Sequence, residues 1–202
     1  MNVDPEIRRL LEVMPASGRM QAKVVEQASQ SQVIAYRQPQ VPWSETPISI
    51  NFQLWHRLAR PQQDLLILRA VGWMKASNWL KLDLYQGVGI AGIVVTLVQL
   101  VQGDALGATV AAGLAAMSGV QIWRNRQSIK VELAADTEAV RVAQRRGYTE
   151  TEAARHLLSA IQAVAELENR KTLEFTELIR SQNLRVVAGM SATAVPEDIR
   201  GA

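Results

Sequence analysis

Cysteine is absent from the chain, and histidine occurs only twice. The first absence excludes disulfides, thiolate nucleophiles, zinc sites built on cysteine and thiolate-held iron–sulfur clusters. The second leaves His56 and His156 as the sole imidazoles. Glu152 and His156 stand four residues apart and can face one another on a helix, but a metal site needs further ligands. A surface Glu–His pair accounts for that spacing equally well. An excess of one charge sign is also missing: 22 Lys/Arg stand against 19 Asp/Glu, a formal +3. The densest basic cluster is Arg145-Arg146, with acids on either side of it, so no nucleic-acid interface is expected. The first residues, Met1 to Glu6, lack an apolar core and do not read as a secretory signal.

Motifs that carry chemistry are missing as well. There is no phosphate-binding G-x-x-x-x-G-K-[ST], no G-x-S-x-G and no H-E-x-x-H. Gly87-Val88-Gly89-Ile90-Ala91-Gly92 matches G-x-G-x-x-G literally. It lies in an uncharged run with no preceding strand, so a dinucleotide site is not expected there. Glu166, Glu168, Glu174 and Glu177, with Arg170 and Lys171 between them, read as a solvated, salt-bridged helix face. No catalytic, cofactor-binding or metal-ligating residue emerges, and no enzymatic activity or cofactor is expected.

What the chain does have is a sharp segregation of charge. Residues 1–83 carry ten basic and seven acidic side chains, and residues 124–202 carry twelve and eleven. Between them, residues 84–123 carry one charge, Asp104. Leu84 to Gly103 and Ala105 to Trp123 are each long enough to cross roughly 30 Å of hydrocarbon as a helix. The polar Gly103-Asp104 turn between them makes a transmembrane helical hairpin over 84–123 the expected reading, with Asp104 exposed at the far interface. Lys75, Lys81, Arg124, Arg126 and Lys130 flank its open end and place both termini on the cytoplasmic side. Trp79, Tyr85 and Trp123 lie at the same end, where an interfacial belt belongs. Small residues recur at four-residue spacing, Gly107/Ala111/Ala115/Gly119 and Ala108/Ala112/Ala116, a pattern that packs helices closely within the hairpin or against a partner.

The flanks read as helical. Residues 1–61 hold short helices and a proline-containing extended stretch. Asp4-Pro5-Glu6 opens a helix with Ile7, Leu10, Leu11 and Met14 on one face, ended near Pro15 and Gly18. Residues 20–31 are polar with weak helical character, and Val33 to Ser49, with Pro39, Pro42 and Pro47, should be extended or partly disordered. Asn51 is placed to cap a helix carrying Phe52, Leu54, Trp55 and Leu58. Residues 62–83 form an amphipathic basic helix, lying either in a membrane interface or against a protein core. Residues 124–185 form a helical pair: Ile129, Leu133, Val140 and Ala143 stripe the first helix, and Gly147 ends it. Thr149 and Glu152 make a capping box for the second, with a break near Asn169. Residues 186–202 read as a frayed tail.

Several strings resemble a family of cyanobacterial membrane proteins catalogued as a domain of unknown function. They are Asp4-Pro5-Glu6-Ile7-Arg8-Arg9-Leu10, Met14-Pro15-Ala16-Ser17-Gly18-Arg19-Met20, Lys81-Leu82-Asp83-Leu84-Tyr85-Gln86-Gly87, Gln102-Gly103-Asp104-Ala105, Gln121-Ile122-Trp123-Arg124 and Thr176-Glu177-Leu178-Ile179-Arg180. The resemblance implies a cyanobacterial source and a thylakoid or plasma membrane, and no ligand or reaction travels with it.

The expected fold is therefore all-α: a two-helix transmembrane hairpin with cytoplasmic amphipathic helices before and after it. The expected function is a non-enzymatic scaffold or assembly factor for a membrane complex. Its partners would be the lipid bilayer and a membrane protein, or a second copy met through the small-residue faces. One alternative is a homo-oligomeric channel or transport accessory, with Gln86, Thr96, Gln99 and Thr109 lining a pore. Another is a soluble helical protein that buries the hairpin.

Overall fold

A computed structural model describes residues 3–36, 45–77 and 128–190. The chain opens with α1 (Asp4–Val13) and α2 (Ala16–Gln21), then β1 (Ala22–Glu26), β2 (Ile34–Tyr36) and β3 (Thr46–Ile50), then the short α3 (Phe52–Trp55). Three longer helical stretches and one last helix follow: α4 over 60–77, α5 over 128–144, α6 (Glu150–Leu167) and α7 (Phe175–Val187).

The three strands form one sheet in the order β1-β3-β2. This corrects the all-α expectation. β1 runs parallel to β3, with Val24 opposite Ile48, and β2 runs antiparallel to it, with Ala35 opposite Ser49. Alternation explains why these short segments serve as strands: Thr46, Ile48 and Ile50 are buried, while Pro47 is exposed and Ser49 half-buried. Pro47 is tolerated in the middle strand because of where its missing N–H would point. Gln27 donates its N–H to the Ile50 carbonyl and Asn51 donates to the Val33 carbonyl. Even-numbered residues of β3 therefore bond β1 and odd-numbered ones bond β2. Pro47 faces the β2 side beyond Tyr36, so it takes no ladder bond away from a described residue of that strand.

The core lies between this sheet and the helices, with Leu10, Met14, Ile48, Ile50, Trp55, Leu65, Ile67 and Leu157 all fully buried. Asn51 caps α3, accepting from the Gln53 and Leu54 amides, and its amide group donates back to the Ala28 and Gln30 carbonyls. That side chain therefore fixes the β1–β2 loop and starts the helix that carries Trp55. α1 is tied down by Arg9, which holds Glu6, Asp64 and Gln63. Tyr148 donates to the other Asp64 oxygen at 3.0 Å. Burial first, and then this bond beside the Asp64 charge, pushes the Tyr148 hydroxyl up to about 12.

Residues 65–72 of α4 are buried without interruption. A helix buried on every side is packed on protein all round. It runs close to α5 at Gly72, where an added Cβ would lie 2.9 Å from the Ala135 carbonyl oxygen.

Among the described residues no helix is long and apolar enough to cross a membrane. The integral membrane location, in a thylakoid or plasma membrane with cytoplasmic termini, is corrected on that finding. The physical reason is charge: α4 carries Arg60, Asp64, Arg69 and Lys75, and α6 carries Glu150, Glu152, Arg155 and Glu166. The hairpin expected over 84–123, with its small-residue faces, Asp104 and the polar residues of the channel alternative, lies outside the described residues. A helical body that buries α4 on protein stands closer to the buried-hairpin alternative than to a membrane anchor.

Candidate functional site

Three helices converge on one buried carboxylate. Asp136 of α5 is 0% exposed, and Arg69 of α4 and Arg180 of α7 are each 7% exposed. Arg69 Nε donates to Asp136 Oδ1 at 2.9 Å. Arg180 donates Nε to Oδ2 at 2.8 Å and Nη2 to Oδ1 at 3.0 Å. Helical spacing builds the rest. Glu132 precedes Asp136 by one turn and Trp73 follows Arg69 by one turn, so the two pairs face each other across the α4–α5 contact. Arg69 also pairs with Glu132, and Trp73 Nε1 donates to the other Glu132 oxygen at 2.9 Å. The network extends to the sheet through Tyr36 of β2, whose hydroxyl bonds Arg69 and whose ring meets Trp73 at 5.1 Å between centroids.

Two guanidiniums on one carboxylate would leave a buried excess charge; Glu132 restores neutrality. Buried ions cost several kcal/mol each unless paired and hydrogen-bonded. Burial alone would depress Arg180, but the Asp136 charge and hydrogen bonds outweigh it and raise its pKa.

A second network stands beside the first. Arg170, in the turn between α6 and α7, donates Nε to Glu168 at 2.9 Å and grips Glu177 with both terminal nitrogens at 2.7 and 2.8 Å. Glu168 accepts the Val33 N–H at 2.9 Å with its other oxygen, clamping the start of β2 to the end of α6. Glu177 also accepts the Glu174 N–H at 2.9 Å, closing the first turn of α7. Asn169, in the left-handed region at φ 55, turns the chain between the two helices.

Both networks line a cleft of about 570 Å³ bounded by β2, α4, α5, α6 and α7. Leu66, Ile161 and Val164 supply apolar lining, while Ser31, Gln32 and Thr176 supply uncharged hydrogen-bonding groups. Charges on the lining are Arg69, Arg170 and Arg180 against Glu132, Glu168, Glu174 and Glu177, with Asp136 held behind Arg69 and Arg180. The described carboxylates outnumber the guanidiniums, five to three.

Glu168, Arg170, Glu174 and Glu177, expected on a solvated face, are therefore brought together around a cleft, and the expected salt bridging is present between Arg170 and both Glu168 and Glu177. Glu152 is engaged in the capping box with Thr149. His156 stacks edge-on to Tyr148 at 6.1 Å, and His56 lies 5.9 Å from the Phe52 ring. Among the described residues no group of three or more His, Cys, Asp or Glu is placed to hold a metal ion. Sequence reasoning missed Tyr36, Arg69, Glu132, Asp136 and Arg180. The signal for one of them was present: Asp136 falls within the apolar stripe Ile129, Leu133, Val140, Ala143, where an unpaired charge has no place.

The pH response follows from these contacts. Burial would raise Glu177, but the Arg170 hydrogen bonds, the Glu174 N–H and the Arg170 charge outweigh it and hold the carboxyl below its ordinary range. Glu6 behaves likewise: burial is outweighed by Arg9, with help from Trp55 and Arg60. A depressed carboxyl contributes stability that is fully present above its unfolded value, about 4.3, and is lost as pH falls through the lower folded value. Urea midpoints should therefore hold steady down to about pH 5 and fall below it, and Glu177→Gln should flatten that fall. An unchanged acid limb in the variant contradicts the assignment.

Residues 8–148 match a protein family described as a protein of unknown function (DUF3318), and the chain belongs to that family. The match says nothing of source organism or membrane. No curated protein matches the chain, and no solved structure matches it.

Proposed function

We propose that this chain is a non-enzymatic interaction module, a scaffold or accessory factor that docks a protein partner across the mouth of the β2–α7 cleft. One observation carries the reading. Phe175 and Leu178 are 66% and 53% exposed, three residues apart on α7, and they alternate with Glu174, Thr176 and Glu177 of the cleft lining. Two large apolar side chains on one helical surface, each still more than half exposed, offer about 1–2 kcal/mol each when a partner buries them. The polar wall beside them is held by ion pairs, so little ordering remains to be done on binding.

Affinity purification of the tagged full chain should bring down a stoichiometric protein. The variant carrying Phe175→Ser and Leu178→Ser should lose it by at least about tenfold, with stability within about 0.5 kcal/mol of the parent because both sites are exposed. Retention of the partner by the variant, or recovery of the bare chain, contradicts the reading.

A further inference from the structure

We infer that the docked partner contributes an extended segment that pairs with the edge of β2 left unpaired among the described residues and directs a lysine or arginine into the cleft. The inference rests on the docking reading and specifies its mode.

β2 is a terminal strand of the sheet. The parity set by the Asn51–Val33 bond turns the backbone groups of Ala35 toward β3. Those of Ile34 and Tyr36 then point outward, away from the sheet. An unpaired edge is a template for another strand. Proteins commonly guard such edges with charge or proline. The opposite edge, β1, carries exposed Lys23 and Glu26, whereas Ile34-Ala35-Tyr36 carries neither charge nor proline.

The surroundings of the edge suit an added strand. The large cleft lies to one side, and a second recess of about 270 Å³ includes Gln27, Gln30, Pro47 and Ser49. Gln32, Ala35 and Tyr36 border both. Successive side chains of an incoming strand point to opposite faces, so alternate residues would enter the two recesses. The described lining of the cleft has four carboxylates to three guanidiniums, with Asp136 buried behind two of the latter, and favours a cationic side chain. Among the described residues the glutamine-lined recess carries no charge, which favours a neutral one.

The test uses the full chain and a short fluorescent peptide alternating valine and lysine. Two controls accompany it: the same peptide N-methylated at alternate amides, which cannot pair, and one with glutamate in place of lysine. The parent peptide should bind, and the Ile34 and Tyr36 amide protons should become protected from exchange. Both controls should bind at least about tenfold more weakly. Equal binding by the methylated peptide, or no binding by any peptide up to about 1 mM, overturns edge pairing. Equal binding by the glutamate peptide overturns the cationic preference. The Phe175→Ser/Leu178→Ser variant should still bind the peptide while losing the partner. Failure of edge pairing is thereby separated from failure of the docking reading.

Discussion

Asp136→Ala lowers the stability of the chain by about 3–5 kcal/mol, because it leaves two buried guanidiniums facing each other without their shared carboxylate. Arg69 retains Glu132, but Arg180 makes both of its charge-assisted bonds to Asp136 alone. The loss should therefore be felt most at α7. Urea titration followed by circular dichroism reads the size of the effect, and the midpoint temperature should fall by roughly 2–4 °C per kcal/mol. A further comparison separates polarity from packing. Replacing Asp136, Glu132, Arg69 and Arg180 together by apolar residues removes every charge of the network, and such replacements are often near neutral. That variant should keep its cooperative transition where Asp136→Ala alone weakens it. A cost below about 1 kcal/mol for Asp136→Ala would mean that the arginines are solvated and the trio is not buried.

Trp55→Ala carries an expected cost of about 3–5 kcal/mol. The ring is fully buried, its Nε1 reaches Glu6 at 3.4 Å, and its carbonyl accepts from Gln63 at 2.9 Å. It is thus packed where α1, α3 and α4 meet. The alanine variant leaves a cavity that these rigidly tied elements cannot fill. The urea midpoint should drop with the slope nearly unchanged, as befits a loss of packing within a cooperative unit. A cost under about 1 kcal/mol would place Trp55 at a surface that collapses freely.

The local signals in the sequence were legible. The Asn51 cap, the Thr149–Glu152 capping box and the turns at Gly147 and Asn169 depend on residues within a few positions of each other, and they stand where expected. The sheet was not legible. Its strands span three to five residues, and the central parallel pair joins Ala22 to Thr46 across the sequence. Pro47 marked its stretch as extended or partly disordered, and only the register shows that its missing amide takes no bond from a described residue of β2. Of the glutamates expected to be salt-bridged near Arg170, Glu168 and Glu177 are. Their place around a cleft depends on Val33, which bonds Glu168 from 135 residues away. Arg69 lies within the stretch 62–83 that reads as a basic amphipathic helix. Its burial follows from Asp136 and Tyr36, which lie on other elements.

A partner docked where β2 and α7 frame the cleft should be visible directly in amide hydrogen exchange, comparing the free chain with the purified complex. Protection gained on binding should concentrate in residues 31–36 and 168–180. Protection centred on β1, or on the exposed face of α1, with those two segments unchanged, would contradict docking there.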